Sequence, residues 1–418
     1  MKKSAKQLSV RLNGQPVGIF SQTVTGRMRF KYLPEATKAI SNSLPIQTDA
    51  YSHKACEAYF AGLLPESSRA KKAIAHQFDA NPNSAFSLLR AIGSDCAGAI
   101  SFTDLDALIQ SSSSIETRLL PSEELEQHII ELPIKPLFLG TDGLRLSLAG
   151  VQEKAAVCVV DDKIFLPILG TPTTHILKPV NNNFPRLVAN EYLCLRTAQR
   201  AGLPVPRVHM DYAGAKDFLL VKRYDRKVID SKIERIHQED FCQALSNRQK
   251  YEQYDGPSHR HCFELLQQST FPVLDRNLLM GILIYNFLIG NGDAHGKNFS
   301  LRYGEDGSVR LAPFYDLVCT QVYEGLSDDM SMKIGKNYQF SRVNGDDWKT
   351  LAKQVGFSYP TIRQMLKAQA STLPTLISSE REAIKGSRFD GTELDQIVAY
   401  VNTACERSLR MIDHEMTR

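Results

Sequence analysis

Residues 278 to 290, Leu278-Leu279-Met280-Gly281-Ile282-Leu283-Ile284-Tyr285-Asn286-Phe287-Leu288-Ile289-Gly290, are apolar nearly all round. A segment with no polar face predicts a helix buried inside a sizeable packed unit and ended by its glycine. It falls short of the roughly 20 residues that a bilayer span needs, so it does not read as a membrane segment. The chain leaving such a helix is held at a fixed place.

That chain is Asn291-Gly292-Asp293-Ala294-His295-Gly296-Lys297-Asn298, with Phe314-Tyr315-Asp316 further on. A carboxylate five positions before a carboxamide, with a second acid beside an aromatic residue downstream, is the spacing of a protein-kinase catalytic loop and its metal site. Asp293 is the candidate base, and Asn298 and Asp316 are the candidate Mg2+ ligands. One carboxylate and one carboxamide leave the ion enough positive charge to bridge ATP phosphates. An isolated match of this kind reads better as a polar turn with an aspartate cap. Here Phe299 to Tyr303 and Val309 to Ala312 flank a five-residue loop and predict a hairpin that carries Asp316 back beside Asn298.

Upstream, the alternating stretch Leu144-Arg145-Leu146-Ser147-Leu148 predicts a strand entering the small-residue turn Ala149-Gly150-Val151-Gln152-Glu153-Lys154. Strands resume at 155 to 160 and, after Asp161-Asp162, at 163 to 166. A loop of this kind covers phosphates with backbone N–H groups, although one glycine between strands is more often a plain turn. No Walker motif is present. Lys178 ends the strand of Thr174-His175-Ile176-Leu177-Lys178, and Glu191 opens a helix running to about Gly202. This is the order of the kinase lysine–glutamate pair; each alone reads equally well as a solvated strand end and a helix-start acid. Phe218 to Val221 predicts a strand entering a hinge at Lys222-Arg223-Tyr224.

These motifs, with Gln238-Glu239-Asp240 and Pro313-Phe314-Tyr315-Asp316, resemble in order and spacing the HipA-type serine/threonine kinase toxins of toxin–antitoxin modules. Leu63-Leu64-Pro65-Glu66-Ser67 and Ile92-Gly93-Ser94-Asp95-Cys96-Ala97-Gly98-Ala99 resemble that family's N-terminal subdomain, so the similarity spans about residues 8 to 325. The resemblance implies an α+β, two-lobed protein-kinase-like fold with a small N-terminal subdomain and a mainly helical C-terminal lobe. It implies a phosphate loop at 149 to 154 and phosphate contact by Lys178. Adenine would be held by the backbone at Lys222, Arg223 and Tyr224, within a nucleotide site lined by Gln238, His295, Gly296, Lys297 and Tyr315. It further implies inactivating autophosphorylation at Ser147, an aminoacyl-tRNA synthetase as substrate, and a HipB-like helix-turn-helix antitoxin as partner, with operator DNA reached through or beside that antitoxin.

Length and composition agree. At 418 residues and 43% hydrophobic content the chain holds two or three packed units. The expected division is 1–133, a β-rich nucleotide lobe at 134–225, and a helical lobe at 226–418. Net charge is only +4, too mild to point to a nucleic-acid groove by itself. Eight cysteines without a C-x-x-C pair read as reduced thiols of a cytoplasmic protein, and the basic start lacks the apolar run of a signal peptide. His259 and His261 lack a third metal ligand nearby. The run Ser111-Ser112-Ser113-Ser114 reads as an exposed loop. Two other classes share the motif: small-molecule phosphotransferases of the aminoglycoside and choline type, whose usual His is Asn291 here, and a non-catalytic corepressor of a DNA-binding partner.

Overall fold

The structure is a computed structural model that describes residues 6–105, 116–138, 147–150, 152–168, 171–181, 183–229 and 232–416. Leu144 to Leu146, Val151 and the serine run at 111 to 114 lie outside the described residues. The chain divides into two compact units, one of Met1–Pro179, Asp211–Arg248 and Arg302–Gly307, the other of Val180–Met210, Gln249–Leu301 and Ser308–Arg418.

The first unit opens with an antiparallel sheet of β1 (Lys6–Leu12), β2 (Gln15–Gln22), β3 (Met28–Tyr32) and β4 (Ile100–Asp104), in the order β3-β2-β1-β4. Asn13 (φ 50°) and Gly14 (φ 77°) make the tight turn between β1 and β2 with positive φ at both positions, as the right-handed strand twist requires. Helices α1 (His53–Gly62), α2 (Ser68–Gln77) and α3 (Ala85–Ile92) lie between β3 and β4 in the chain, and α4 (Ser122–Glu131) comes after β5 (Thr117–Leu119). Phe20 of β2 stacks on Phe60 of α1 with ring centroids 4.0 Å apart. The same apolar core continues into a six-stranded sheet through Leu177, Phe218 and Leu220. That sheet is ordered β5-β7-β6-β8-β10-β9, from β5, β6 (Ala155–Val160), β7 (Lys163–Pro167), β8 (His175–Pro179), β9 (Val208–Ala213) and β10 (Lys216–Lys222). Asp161 and Asp162, at φ 48° and 59°, turn β6 into β7, as the sequence predicts. Beyond it come the hairpin of β11 (Arg226–Ile229) and β12 (Lys232–Arg235), strand β13 (His237–Asp240), and the single turn α6 (Phe241–Ala244).

The second unit is built on α8 (Pro272–Ile289), preceded in the chain by α5 (Leu187–Arg200) and α7 (His259–Leu265). Helix α8 is buried continuously from Leu279 to Ile289 and stops at Gly290, whose φ of 73° is the left-handed cap that glycine adopts without strain. A Cβ there would meet the Tyr400 ring at 2.4 Å. The helix starts six residues before the apolar run, because Pro272 sits at its first turn and Asp275 is fully buried against Arg310 at 2.9 Å. At 18 residues it therefore reaches the length of a short membrane span, which residues 278 to 290 alone do not. Its burial among protein side chains, not its length, marks it as a core helix. Tyr285 Oη donates to the Cys194 carbonyl of α5 at 2.6 Å. Helices α9 (Gly345–Val355), α10 (Tyr359–Ile384) and α11 (Thr392–Met416) complete the unit, and α10 and α11 pack on α8.

All eight cysteines are free and buried. His261 is accounted for at the start of α7, where its Nδ1 accepts the Ser258 N–H at 3.2 Å in a reciprocal cap.

Candidate active site

Asp293 sits three residues beyond Gly290, on a loop fixed almost residue by residue. Asn291, only 3% exposed, donates its N–H to the Asn286 carbonyl of α8 at 2.9 Å. Its Oδ1 accepts the Asp293 N–H at 3.2 Å, and its Nδ2 donates to the Asp316 carbonyl at 3.3 Å. Asn291 therefore ties the base candidate to the second acid through side-chain hydrogen bonds. Gly292 donates its N–H to Thr320 Oγ1 at 2.9 Å, and its carbonyl accepts Ser331 N–H at 2.8 Å and Ser331 Oγ–H at 2.6 Å. These bonds hold Asn291 to Asp293 in one conformation.

The Asp293 carboxylate projects outward, 56% exposed, where an acceptor has access. The short 3-10 turn Gly296–Asn298 places Asn298 inward, at 7% exposure. Tyr315 Oη donates to the Lys297 carbonyl at 2.8 Å and lies 2.7 Å from Ser300 Oγ. The predicted hairpin is present as β14 (Ser300–Tyr303) and β15 (Val309–Leu311), and Ala312 N–H bonds the Ser300 carbonyl at 2.9 Å. It returns the chain so that Tyr315 and Asp316 meet the stretch around Lys297 and Asn291. Asp316 itself holds φ 55°, a left-handed backbone that aspartate adopts more readily than most non-glycine residues. Three residues on, Cys319 exchanges two 2.9 Å hydrogen bonds with the buried Asn190 side chain.

Asn298 and Asp316 suit Mg2+, which takes few protein oxygens and completes its shell with phosphate and water. Among the described residues no group of three His, Cys, Asp or Glu side chains forms a closed transition-metal site. When bound, the ion would neutralise charge on the transferring phosphoryl group.

Of the upstream elements, the loop around Ser147 to Lys154, Lys178 and residues 222 to 224 belong to the first unit, whereas Glu191 belongs to the second. Ser147 is fully buried, donating Oγ–H to the Leu63 carbonyl at 2.6 Å and N–H to the Asp95 carbonyl at 2.8 Å. Ser147 and Leu148 carry no strand, contrary to the alternating pattern; the two bonds of Ser147 stand where ladder pairing is expected, and strand begins at Ala155. Gly150, at φ 111°, bridges Pro65, and its carbonyl accepts the Glu66 N–H at 3.0 Å. Lys154 Nζ donates to the Ala149 carbonyl at 2.7 Å and closes the loop, with Gln152 half-buried and Glu153 exposed. Val151 lies outside the described residues.

Lys178 is on β8 as expected, but only 5% exposed, so the solvated strand end is excluded. A buried ammonium requires a partner, and Lys178 is not without an interaction. Glu191 lies on α5 at 2% exposure. At the stretch predicted to be a hinge, Lys222 is exposed and Tyr224 Oη hydrogen-bonds Gln238 Oε1, which brings two of the predicted nucleotide-site residues together. The Arg223 side chain turns inward to Asp225 at 2.7 Å and Thr173 at 2.9 Å, leaving only its backbone for a ligand. Glu239 and Asp240 of the neighbouring motif are structural. Asp240 caps α6, and Glu239 accepts Ser41 Oγ–H, Asn42 N–H and Tyr303 Oη–H. Burial pushes the Glu239 carboxyl up to about 7 against these donors.

An anchored Asp-x-x-x-x-Asn loop, a second acid tied to it through its backbone carbonyl, and an α+β frame define a protein-kinase-like phosphotransferase. Residues 146–377 match the HipA-like C-terminal domain and residues 8–103 the HipA N-terminal domain. The chain belongs to the HipA family of serine/threonine-protein kinase toxins. It is 37% identical over 408 residues to the putative kinase Y4mE of Sinorhizobium fredii, covering 94% of each chain. It is 32% identical over 395 residues to the serine/threonine-protein kinase toxin HipA of Shewanella oneidensis, covering 90% of this chain and 88% of that one. The solved complex of Shewanella oneidensis HipA, HipB and operator DNA contains a chain that matches with a TM-score of 0.85 at 25% identity, over 97% of this chain and 98% of that one.

Proposed function

We propose that this kinase transfers the terminal phosphate of ATP, with Mg2+, to a serine or threonine of an aminoacyl-tRNA synthetase. Asp293 receives the acceptor proton, and Asn298 and Asp316 hold the metal. Lys178, the loop at 149 to 154, the backbone at 222 to 224, and Gln238, His295, Gly296, Lys297 and Tyr315 hold the nucleotide. The segment 134–225 serves as the nucleotide lobe, with 1–133 the N-terminal subdomain and 226–418 the helical lobe. The observation that carries the reading is the Asn291-centred network, which joins the Asp293 N–H to the Asp316 carbonyl. A polar turn without chemistry has no need of such a link. The same network weighs against a non-catalytic corepressor, and it accounts for Asn291, which departs from the small-molecule phosphotransferases.

A HipB-like helix-turn-helix antitoxin restrains the kinase in the cytoplasm and supplies contact with operator DNA. Support comes from the relative of known structure, whose complex contains HipB and operator DNA.

Autophosphorylation of Ser147 switches the kinase off. The side chain is fully buried, with Oγ 2.6 Å from the Leu63 carbonyl, so no phosphate fits where the hydroxyl now lies. Adding roughly 1.5 to 2 negative charges there expels the loop and removes its N–H groups from the nucleotide. Incubation with Mg2+ and ATP is expected to add one phosphate to the parent and none to Ser147→Ala, by intact mass, and to abolish ATP binding in the modified form. Equal phosphorylation of both proteins, or a phosphorylated form that binds ATP as tightly as before, would refute the switch.

A further inference from the structure

Tyr251 lies outside every motif in the sequence, 42 residues before Asp293, yet its phenol meets the base directly. Tyr251 Oη donates to Asp293 Oδ1 at 2.8 Å. The His295 Nε2 atom lies 3.9 Å from the same oxygen, and the Tyr251 and His295 rings meet edge to face with centroids 5.2 Å apart. Next to it, Lys250 places its ammonium 5.1 Å from the Tyr251 ring centroid, and its carbonyl accepts the Gly296 N–H at 3.2 Å. Residues 250 and 251 are thus fastened to the catalytic loop at Asp293, His295 and Gly296.

We propose that Tyr251 is a positioning residue for phosphoryl transfer. Its hydroxyl fixes the Asp293 carboxylate through Oδ1 and leaves Oδ2 to face the acceptor. In the transfer step the acceptor oxygen forms its bond to the terminal phosphorus as the bond to the ADP oxygen breaks. The acceptor proton passes to Asp293 Oδ2, and the Tyr251 proton stays on the phenol. A carboxylate free to rotate would spend most of its time misdirected, and orientation of this kind is where a phosphotransferase gains most of its rate. The inference rests on Asp293 being the base.

The test compares Tyr251→Phe, Asp293→Asn and the double variant by ADP release from Mg2+-ATP, ATP affinity and thermal melting. Phe keeps the ring and its contact with His295, so ring packing alone predicts no loss. Tyr251→Phe is expected to lower kcat roughly ten-fold, as loss of one hydrogen bond to a charged group implies, with ATP affinity and melting unchanged. On the Asp293→Asn background it is expected to cost nothing further, because the group it positions is gone. Parent-like kcat in Tyr251→Phe, or the same ten-fold loss repeated on the Asp293→Asn background, overturns the proposal while leaving Asp293 in place. Full activity in Asp293→Asn overturns the base assignment and this inference with it.

Discussion

Asp293→Asn is expected to bind Mg2+-ATP as the parent does and to turn it over about 10^2- to 10^4-fold more slowly, the range for loss of a positioned general base. Asparagine keeps the shape and the hydrogen bond between the residue's N–H and Asn291 Oδ1, so the loop stays in place. What it loses is the capacity to take a proton. A defect confined to kcat is the signature of a group used mainly in the transition state. Asp316→Asn is expected to differ in kind and weaken metal-dependent nucleotide binding, since a carboxylate at a Mg2+ site acts in the ground state too. Nucleotide titration with and without Mg2+, beside ADP release, separates the two; undiminished turnover in Asp293→Asn removes it from the chemistry.

Asp95→Asn is expected to cost about 3 to 5 kcal/mol of stability at pH 7, the range for breaking a buried ion network by removing one partner. Asp95 is 3% exposed and pairs with Arg226 at 2.8 Å, Arg235 at 3.2 Å and Arg223 at 3.6 Å. Asp225, itself buried, is the other acid of the cluster, bound to Arg223 and Arg226 at 2.7 and 2.8 Å. Without Asp95 three guanidinium groups face one carboxylate. Burial alone would push the Asp95 carboxyl up; Arg226, then Arg235 and Arg223, outweigh it and hold it well below the usual carboxylate range. A folded-state value below the unfolded one means the contribution is present above the unfolded carboxylate pKa of about 4 and fades as pH falls below it. The gap between parent and Asp95→Asn in urea unfolding should therefore be widest near neutrality and shrink in acid. A gap that does not change with pH would mean the charge is not what stabilises the cluster. Because the Asp95 carbonyl also accepts the Ser147 N–H, the variant should loosen the loop that carries Ser147.

Sequence periodicity and spacing made some of this legible and could not reach the rest. The β1–β2 and β6–β7 turns, the helix ending at Gly290 and the hairpin before Asp316 come from local rules, since each is specified by residues within a few positions of one another. The candidate set of Asp293, Asn298 and Asp316 was legible because kinase chemistry fixes a short spacing. Tyr251, Thr320 and Ser331 were not, since each reaches the loop from a separate segment and no spacing rule joins them to it. Arg223 looked like part of a polar hinge because its partner Asp95 is more than a hundred residues away. For Lys178 the sequence left a phosphate-contacting lysine and a solvated strand end equally open, because its burial comes from tertiary packing alone. Ser147 alternates with apolar neighbours as a strand residue would, yet carbonyls of Leu63 and Asp95 satisfy it instead.

The most direct measurement of the central claim is the phosphoproteome of cells after brief induction of this chain, set beside induction of Asp293→Asn at equal abundance. New phosphoserine or phosphothreonine sites on a small set of proteins, aminoacyl-tRNA synthetases among them, are expected with the parent and absent with the variant. Identical phosphoproteomes in the two inductions would contradict a protein kinase that works through Asp293.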